Sequence, residues 1–212
     1  MPLPCLRSKL YFILPAGLPI AELLRLVEAA ISGGVGMIQY REKRKRTRQV
    51  TEEVAALLQL TRAASVPLIV NDRADVALAV EADGVHLGQE DMPVMIARRL
   101  LGPCAIIGAT TPDTQSVETA EREGASYVAI GPVFASPTKP GKAAVGIEAV
   151  RRTQQATHLP VCAIGGINAT NIRELGPEKV ALYAVVSAIS SADDPRAATA
   201  RLVGMIEASE SQ

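Results

Sequence analysis

Two acidic residues, Asp72 and Asp91, each follow a short apolar run, "LIV" and "GVHL", in the stretch "LIVNDRADVALAVEADGVHLGQED". A carboxylate just past a buried strand is a charge delivered to the edge of the core, and two of them from adjacent strands suit one hard divalent cation. Mg2+ typically takes one or two carboxylates and fills its other positions with water and substrate phosphate. Cations stand after other apolar runs: Arg41 and Lys43 after "GMIQY", and Lys139 within "ASPTKPG". They would supply the positive charge that a diphosphate needs, and Arg can grip it through two parallel hydrogen bonds. Gln39, Arg41 and Lys43 recur at period two, which a strand projects to one side while Tyr40 and Glu42 go to the other. Asn71, Gln89 and Glu90 lie beside the aspartates, and Thr110, Thr111, Ser136, Thr138 and Ser187 add hydroxyls after later runs. Gly165 and Gly166 offer bare backbone, on whose amides a phosphate can sit. The competing role for each aspartate is to cap the helix that follows. Asp75 reads as a residue favouring a helix start, and Glu90 as either that or a metal ligand.

These residues need a scaffold that brings them to one place. The runs "LYFILPA", "GMIQYRE", "LIVND", "GVHLGQ", "AIIGAT", "YVAIGPVF", "VCAIGG" and "ALYAVVSAI" are too short for buried helices and show no strict alternation, as expected of parallel strands covered on both faces. Between them, segments such as "PIAELLRLVEAAIS" and "TRQVTEEVAALLQLTRAAS" have helical spacing. Gly34, Gly84 and Gly124 fall where a left-handed helix cap is expected. Eight strands alternating with helices predict an α/β fold, a single (β/α)8 TIM barrel spanning residues 1–212, with an open doubly wound sheet as the runner-up. In such a barrel the loops after the strands converge on one mouth.

Composition narrows the partners. Lys plus Arg and Asp plus Glu are both 22, and aromatics are 3% with no Trp, so neither a polyanionic partner nor a base-stacking surface is indicated. No nucleic acid is expected. The three cysteines, Cys5, Cys104 and Cys162, are far apart and form no C-x-x-C, which argues against a disulfide framework or a zinc site and suits a reducing cytoplasm. "MPLPCLRSKLYFILPAGLP" imitates a signal peptide, but its apolar run is short and it lacks a small-x-small cleavage site. No stretch has the length needed to span a bilayer. The expectation is a cytoplasmic protein with no membrane partner, and a homo-oligomer is compatible with it.

At "QYREK", "VNDRADVALAVEADGVHLGQEDMP", "YVAIGPVFASPTKPG", "IGGIN" and "AVVSAI" the chain resembles the thiamine phosphate synthase family, in that family's order and spacing. The resemblance implies a Mg2+-dependent transferase that couples hydroxymethylpyrimidine diphosphate with hydroxyethylthiazole phosphate, giving thiamine phosphate and diphosphate. It implies that Gln39, Arg41, Lys43, Asn71 and Lys139 meet the pyrimidine diphosphate, and that Asp72 and Asp91 hold Mg2+. Thr110 stands where the family usually has a serine on the pyrimidine side. Ser136, Thr138, Gly166, Val186 and Ser187 would line the thiazole phosphate site. Tyr40, Glu42 and Pro137, interspersed among these, complete the candidate substrate-binding set, and Arg41, Lys43, Thr110 and Lys139 form the candidate catalytic set. The chain departs from the family at Pro112, near which a histidine is common, at "LPAG" in place of "TD", and at "GPEKVALYAVVSAI" in place of "GADGVAVVSAI".

Several features read as structural. In "REKRKRTR", Arg41 and Lys43 are taken as functional and the rest as solvated surface. His86 reads as a satisfied interior histidine, His158 as exposed, and Cys104 and Cys162 as small packed side chains. Two rival functions remain: a thiazole tautomerase, for which proton shuttling favours a histidine at the mouth, and a non-catalytic binder of thiamine phosphates, which has no need of a metal poised on a leaving group.

Overall fold

The computed structural model describes residues 3–135 and 143–210. The candidate residues Ser136, Pro137, Thr138 and Lys139 lie outside the described residues. In chain order the elements are β1 (Leu10–Ile13), α1 (Ile20–Ser32), β2 (Met37–Tyr40), α2 (Thr47–Ala63), β3 (Leu68–Asn71), α3 (Ala74–Ala79), β4 (Gly84–Leu87), α4 (Val94–Leu101), β5 (Ile106–Thr110) and α5 (Thr114–Arg122). They continue with β6 (Tyr127–Ile130), α6 (Gly146–Gln155), β7 (Val161–Ile164), a 3-10 helix (Ile172–Glu178), β8 (Leu182–Val185), α7 (Ser187–Ser190) and α8 (Pro195–Glu210). Among the described residues the eight strands close into a barrel in sequence order. Each pairs parallel with the next, and β1 pairs with β8. The fold is therefore a (β/α)8 barrel, and the open sheet is ruled out by closure.

The helices follow from apolar spacing. In α1, Leu23, Leu26, Val27 and Ala30 are the buried residues, the i, i+3, i+4, i+7 stripe that a core-facing helix requires. The start of α5 is fixed by a capping box: the Asp113 carboxylate accepts from the Ser116 N–H at 2.8 Å, and the Ser116 hydroxyl accepts from the Asp113 N–H at 3.2 Å. The segment between β7 and β8 stays a 3-10 helix, with Pro177 inside it, where a proline removes a backbone donor.

Alternation along each strand builds two cores. Leu10, Phe12, Ile38, Tyr40, Leu68, Val70 and Val85 face outward and pack under the helices. Tyr11, Ile13, Met37, Ile69, Ile106, Tyr127, Ala129, Cys162, Leu182 and Ala184 fill the barrel interior.

Three expectations are corrected. Gly34 and Gly124 do take positive φ beyond α1 and α5, but Gly84 lies inside β4, and Glu81 adopts the left-handed turn there. An added Cβ on Gly84 would strike the Ile106 carbonyl, so closeness of the neighbouring strand, not a cap, explains the glycine. Cys104 is exposed, whereas Cys162 is buried in the barrel. Lys45 is not surface: its ammonium reaches both Glu53 carboxylate oxygens at 2.9 Å and the Leu18 carbonyl at 2.7 Å.

Candidate active site

The barrel interior opens at the C-terminal ends of the strands into a cavity of about 560 Å3. Gln39, Arg41, Asn71, His86, Thr110, Gly165, Gly166, Val186 and Ser187 line it, along with apolar residues of β1, β7 and β8. The strands are shorter than the apolar runs suggested. Strand β2 stops at Tyr40, so Arg41 and Lys43 stand on the β2–α2 loop, not on the strand. Likewise β4 stops at Leu87, which leaves Gln89, Glu90 and Asp91 on the loop before α4.

Asp72 follows β3 with φ of 61°, a left-handed conformation that side chains other than Gly, Asn and Asp rarely adopt. Its backbone N–H donates to the His86 carbonyl at 2.8 Å, which ties the turn to β4. One carboxylate oxygen receives Lys43 Nζ at 3.0 Å. The Asp91 carboxyl neighbours Asp72, and Asp91 Oδ2 accepts from the Gly88 N–H at 2.7 Å. Burial first, and then the neighbouring Asp91, push the Asp72 carboxyl above its ordinary range despite Lys43. Two carboxylates pressed together in this way repel unless a proton or a cation lies between them. Helix capping does not explain them, because Arg73 and Pro93 occupy the caps of α3 and α4. Asp75 instead pairs with Arg73 at 2.6 Å in the first turn of α3.

The loop that carries Arg41 and Lys43 is braced from behind. Glu42 Oε1 accepts from the backbone N–H groups of Lys43 at 2.7 Å and Arg44 at 2.8 Å, while Oε2 accepts from Gly17 at 2.8 Å. Against a desolvation that would raise it, these donors hold the Glu42 carboxyl below its ordinary range. Tyr40 faces the helices and donates to Glu53 Oε2 at 2.7 Å. Tyr40 thus stands on the outer face, and Glu42 on the side of the loop away from the cavity, where it fixes the backbone of Lys43.

Beneath the mouth runs a chain of polar side chains. Gln39 Nε2 donates to the Tyr11 hydroxyl at 2.6 Å, Tyr11 and Tyr127 hydroxyls are 3.0 Å apart, His86 Nδ1 is 3.0 Å from Tyr127, and His86 Nε2 is 3.0 Å from Thr110 Oγ1. Beside it, the Asn71 amide nitrogen is buried without a hydrogen-bond partner among the described residues. Such an orphan donor costs about 1–3 kcal/mol, which a ligand oxygen would recover.

Opposite the aspartates, Gly165 and Gly166 have φ of 96° and 69°. An added Cβ on Gly166 would strike the carbonyls of Phe134 and Ala135, so the turn needs glycine twice over. Asn168 and Asn171 donate their side-chain amides to the Gly166 carbonyl at 2.9 Å. Ser187 opens the short helix α7, with Val186 before it. This side of the mouth therefore presents backbone and a hydroxyl, the opposite of the charged side.

His86 is interior and hydrogen-bonded, and His158 is exposed, as read from the sequence. The sequence reading did not single out Tyr11 or Tyr127. Their inward parity within β1 and β6, shared with Gln39, was the available signal.

A family model described as thiamine monophosphate synthase matches residues 10–189. A thiamine-phosphate synthase of Chloroflexus aurantiacus is 46% identical over 204 residues, 95% of this chain and 94% of that protein. One of Vibrio campbellii is 43% identical over 199 residues, 93% and 98% of the two chains. The solved structure of a thiamine phosphate pyrophosphorylase from Pyrococcus furiosus superposes with a TM-score of 0.85 at 39% identity, covering 96% of this chain and 97% of that one.

Proposed function

The chain belongs to the thiamine monophosphate synthase family and carries that family's transferase activity, and from this premise we propose how its mouth divides the work. The pyrimidine ring lies against Gln39 and Thr110, and its diphosphate lies toward Arg41, Lys43, Asn71 and Lys139. The phosphate of the thiazole partner lies on Gly166, Val186 and Ser187, with Ser136, Pro137 and Thr138 assigned to the same partner. The neighbouring Asp72 and Asp91 carboxyls, with Lys43 at 3.0 Å from Asp72, carry this reading. A divalent cation relieves their repulsion, and a pair of carboxylates is the share of ligands that Mg2+ takes from a protein. Asp72 and Asp91 would hold that ion, whose chemistry is to neutralise charge on the diphosphate.

The bond between the pyrimidine methylene carbon and the diphosphate oxygen breaks, and its electron pair leaves with the diphosphate. Arg41, Lys43 and Lys139 stabilise the charge that grows on the departing oxygen, an effect strengthened where the mouth holds little water. Asn71 donates its orphan N–H to the same group. The thiazole nitrogen supplies a lone pair to the carbon, so the chain's task on that side is placement, not activation. Glu42 acts through the loop it braces, because it fixes the backbone of Lys43.

The test is diphosphate release and thiamine phosphate formation by the purified chain given both substrates, with and without Mg2+. Metal-dependent, equal formation of both products is expected. Ligand binding without product, and unaffected by chelation, would favour a binder and overturn the reading.

A further inference from the structure

The chain of side chains beneath the mouth has a direction, and Tyr11 sets it. Gln39 places an amide N–H on the Tyr11 oxygen, and an N–H can only donate. The Tyr11 hydroxyl is buried, and its remaining neighbour in the chain is the Tyr127 oxygen at 3.0 Å. Its hydrogen must therefore go to Tyr127, because a buried hydroxyl hydrogen without an acceptor is heavily penalised. Tyr127, having accepted, passes its own hydrogen to His86 Nδ1. A neutral imidazole that accepts at Nδ1 carries its proton on Nε2, and that N–H donates to Thr110 Oγ1. At one end the Thr110 hydrogen is left for the cavity, and at the other end so is the Gln39 carbonyl oxygen; both residues line it.

We propose that this chain fixes Gln39 as an acceptor and Thr110 as a donor at the mouth, and thereby selects an aminopyrimidine ring over its oxo counterpart. An aminopyrimidine edge offers an amine N–H beside a bare ring nitrogen, which complements that order. An oxopyrimidine edge offers a carbonyl beside a ring N–H, the reverse. The proposal rests on the placement of the pyrimidine ring given above. Tyr11, Tyr127 and His86 are then positioning residues, acting through Gln39 and Thr110.

The surroundings are built for this path. Gly108 lies between His86 and Tyr127 in register, and a Cβ there would collide with the Tyr127 phenol and His86 Nδ1. The glycine leaves the passage open. The His86 and Tyr127 rings stack at 5.6 Å and 24°, while Tyr11 meets Tyr127 edge-on at 6.1 Å and 84°. Burial raises both phenols well above their ordinary value, which keeps them neutral and able to donate.

The chain has two histidines, so 15N-histidine labelling gives a spectrum that His158→Gln assigns at once. At neutral pH, His86 is expected as the Nε2–H tautomer, and Tyr127→Phe should shift that signal. By calorimetry without thiazole phosphate, the preference for hydroxymethylpyrimidine diphosphate over its 4-oxo counterpart should fall roughly tenfold in Tyr127→Phe, as for loss of one oriented hydrogen bond. The KM for thiazole phosphate should not move. Tyr11→Phe cuts the chain one link earlier and serves if Tyr127→Phe does not fold. An Nδ1–H tautomer in the wild type, or an unchanged preference in a folded variant, overturns the proposal. A wild type that forms no thiamine phosphate would instead overturn the placement of substrates, and the tautomer would still decide the polarity.

Discussion

The same eight strands have two unlike faces. Outside, beneath the helices, Leu10, Phe12, Ile38, Leu68, Val70 and Val85 belong to one apolar layer with aliphatic side chains of the helices. Inside, alongside Ile13, Met37, Ile69, Ile106 and Leu182, the barrel holds Tyr11 and Tyr127, with Gln39 bonded to Tyr11, His86 to Tyr127 and Thr110 to His86. The outer layer gains free energy by removing apolar surface from water, an effect without direction. The polar chain within the inner layer gains little by burying hydroxyls, since each hydrogen bond replaces one to water. What it gains is orientation of groups at the mouth. The groups that orient the mouth therefore all share the inward parity, while the outward parity serves packing alone.

Substitutions on the two faces should fail in different ways. The largest effect is expected from Leu57→Ala, at a fully buried position of α2. It should lose about 2–5 kcal/mol in urea titration while the folded fraction keeps its kcat; a fall in kcat at equal folding would break the separation. Asp72→Asn should do the opposite, lowering kcat/KM by roughly 10^2–10^3-fold, the cost of removing one preorganised electrostatic group. Its urea midpoint should hold or rise as the pressure of Asp91 is relieved. Unchanged Mg2+-dependent turnover would remove Asp72 from the metal site.

Smaller effects sharpen the boundary. Tyr40→Phe removes the hydrogen bond to Glu53 on the outer face and should cost about 0.5–1.5 kcal/mol in the same titration, with little change in KM. Glu42 gives the smallest, and a pH-dependent, signal. Its folded pKa is depressed, so its stabilising contribution is complete above the ordinary value of 4.5 and is lost as pH falls through the lower folded value. The stability gap between wild type and Glu42→Gln should thus close as the solution is acidified through that window. A gap that stays constant would mean that the three N–H contacts do not favour the charged form.

The barrel was legible because each strand is a short apolar run bounded by polar residues, and closure needs only their count and order. The ends were less so. "QYREK" continues the alternation past Tyr40, but Glu42 captures the amides of Lys43 and Arg44 and turns the chain into a loop. Such local capture competes with strand pairing and leaves no mark on hydrophobic periodicity. Lys45 was hidden in the same way, since a basic run looks alike whether solvated or folded onto Glu53. The polar chain inside the barrel joins Tyr11 to Tyr127 across 116 positions of sequence. In a run such as "LYFI" a tyrosine counts as apolar, and only closure brings the two hydroxyls together. Asp72 stands out in the sequence because an acid directly after a buried strand conflicts with its surroundings unless something compensates it, and Asp91 because it follows the next strand within a few residues.

The left-handed backbone at Asp72 bears on how mutational tolerance at this position should be interpreted. A library covering every amino acid there would show broad intolerance, and most of it would report the peptide backbone, not the carboxylate. Glycine and asparagine are the two substitutions that fit the φ of 61° best. Only those two isolate the loss of the negative charge. A scan scored by abundance would accept both and reject most others, whereas a scan scored by growth without supplied thiamine would reject those two as well. The difference between the two scores at this one codon measures the chemistry of the side chain with the backbone subtracted.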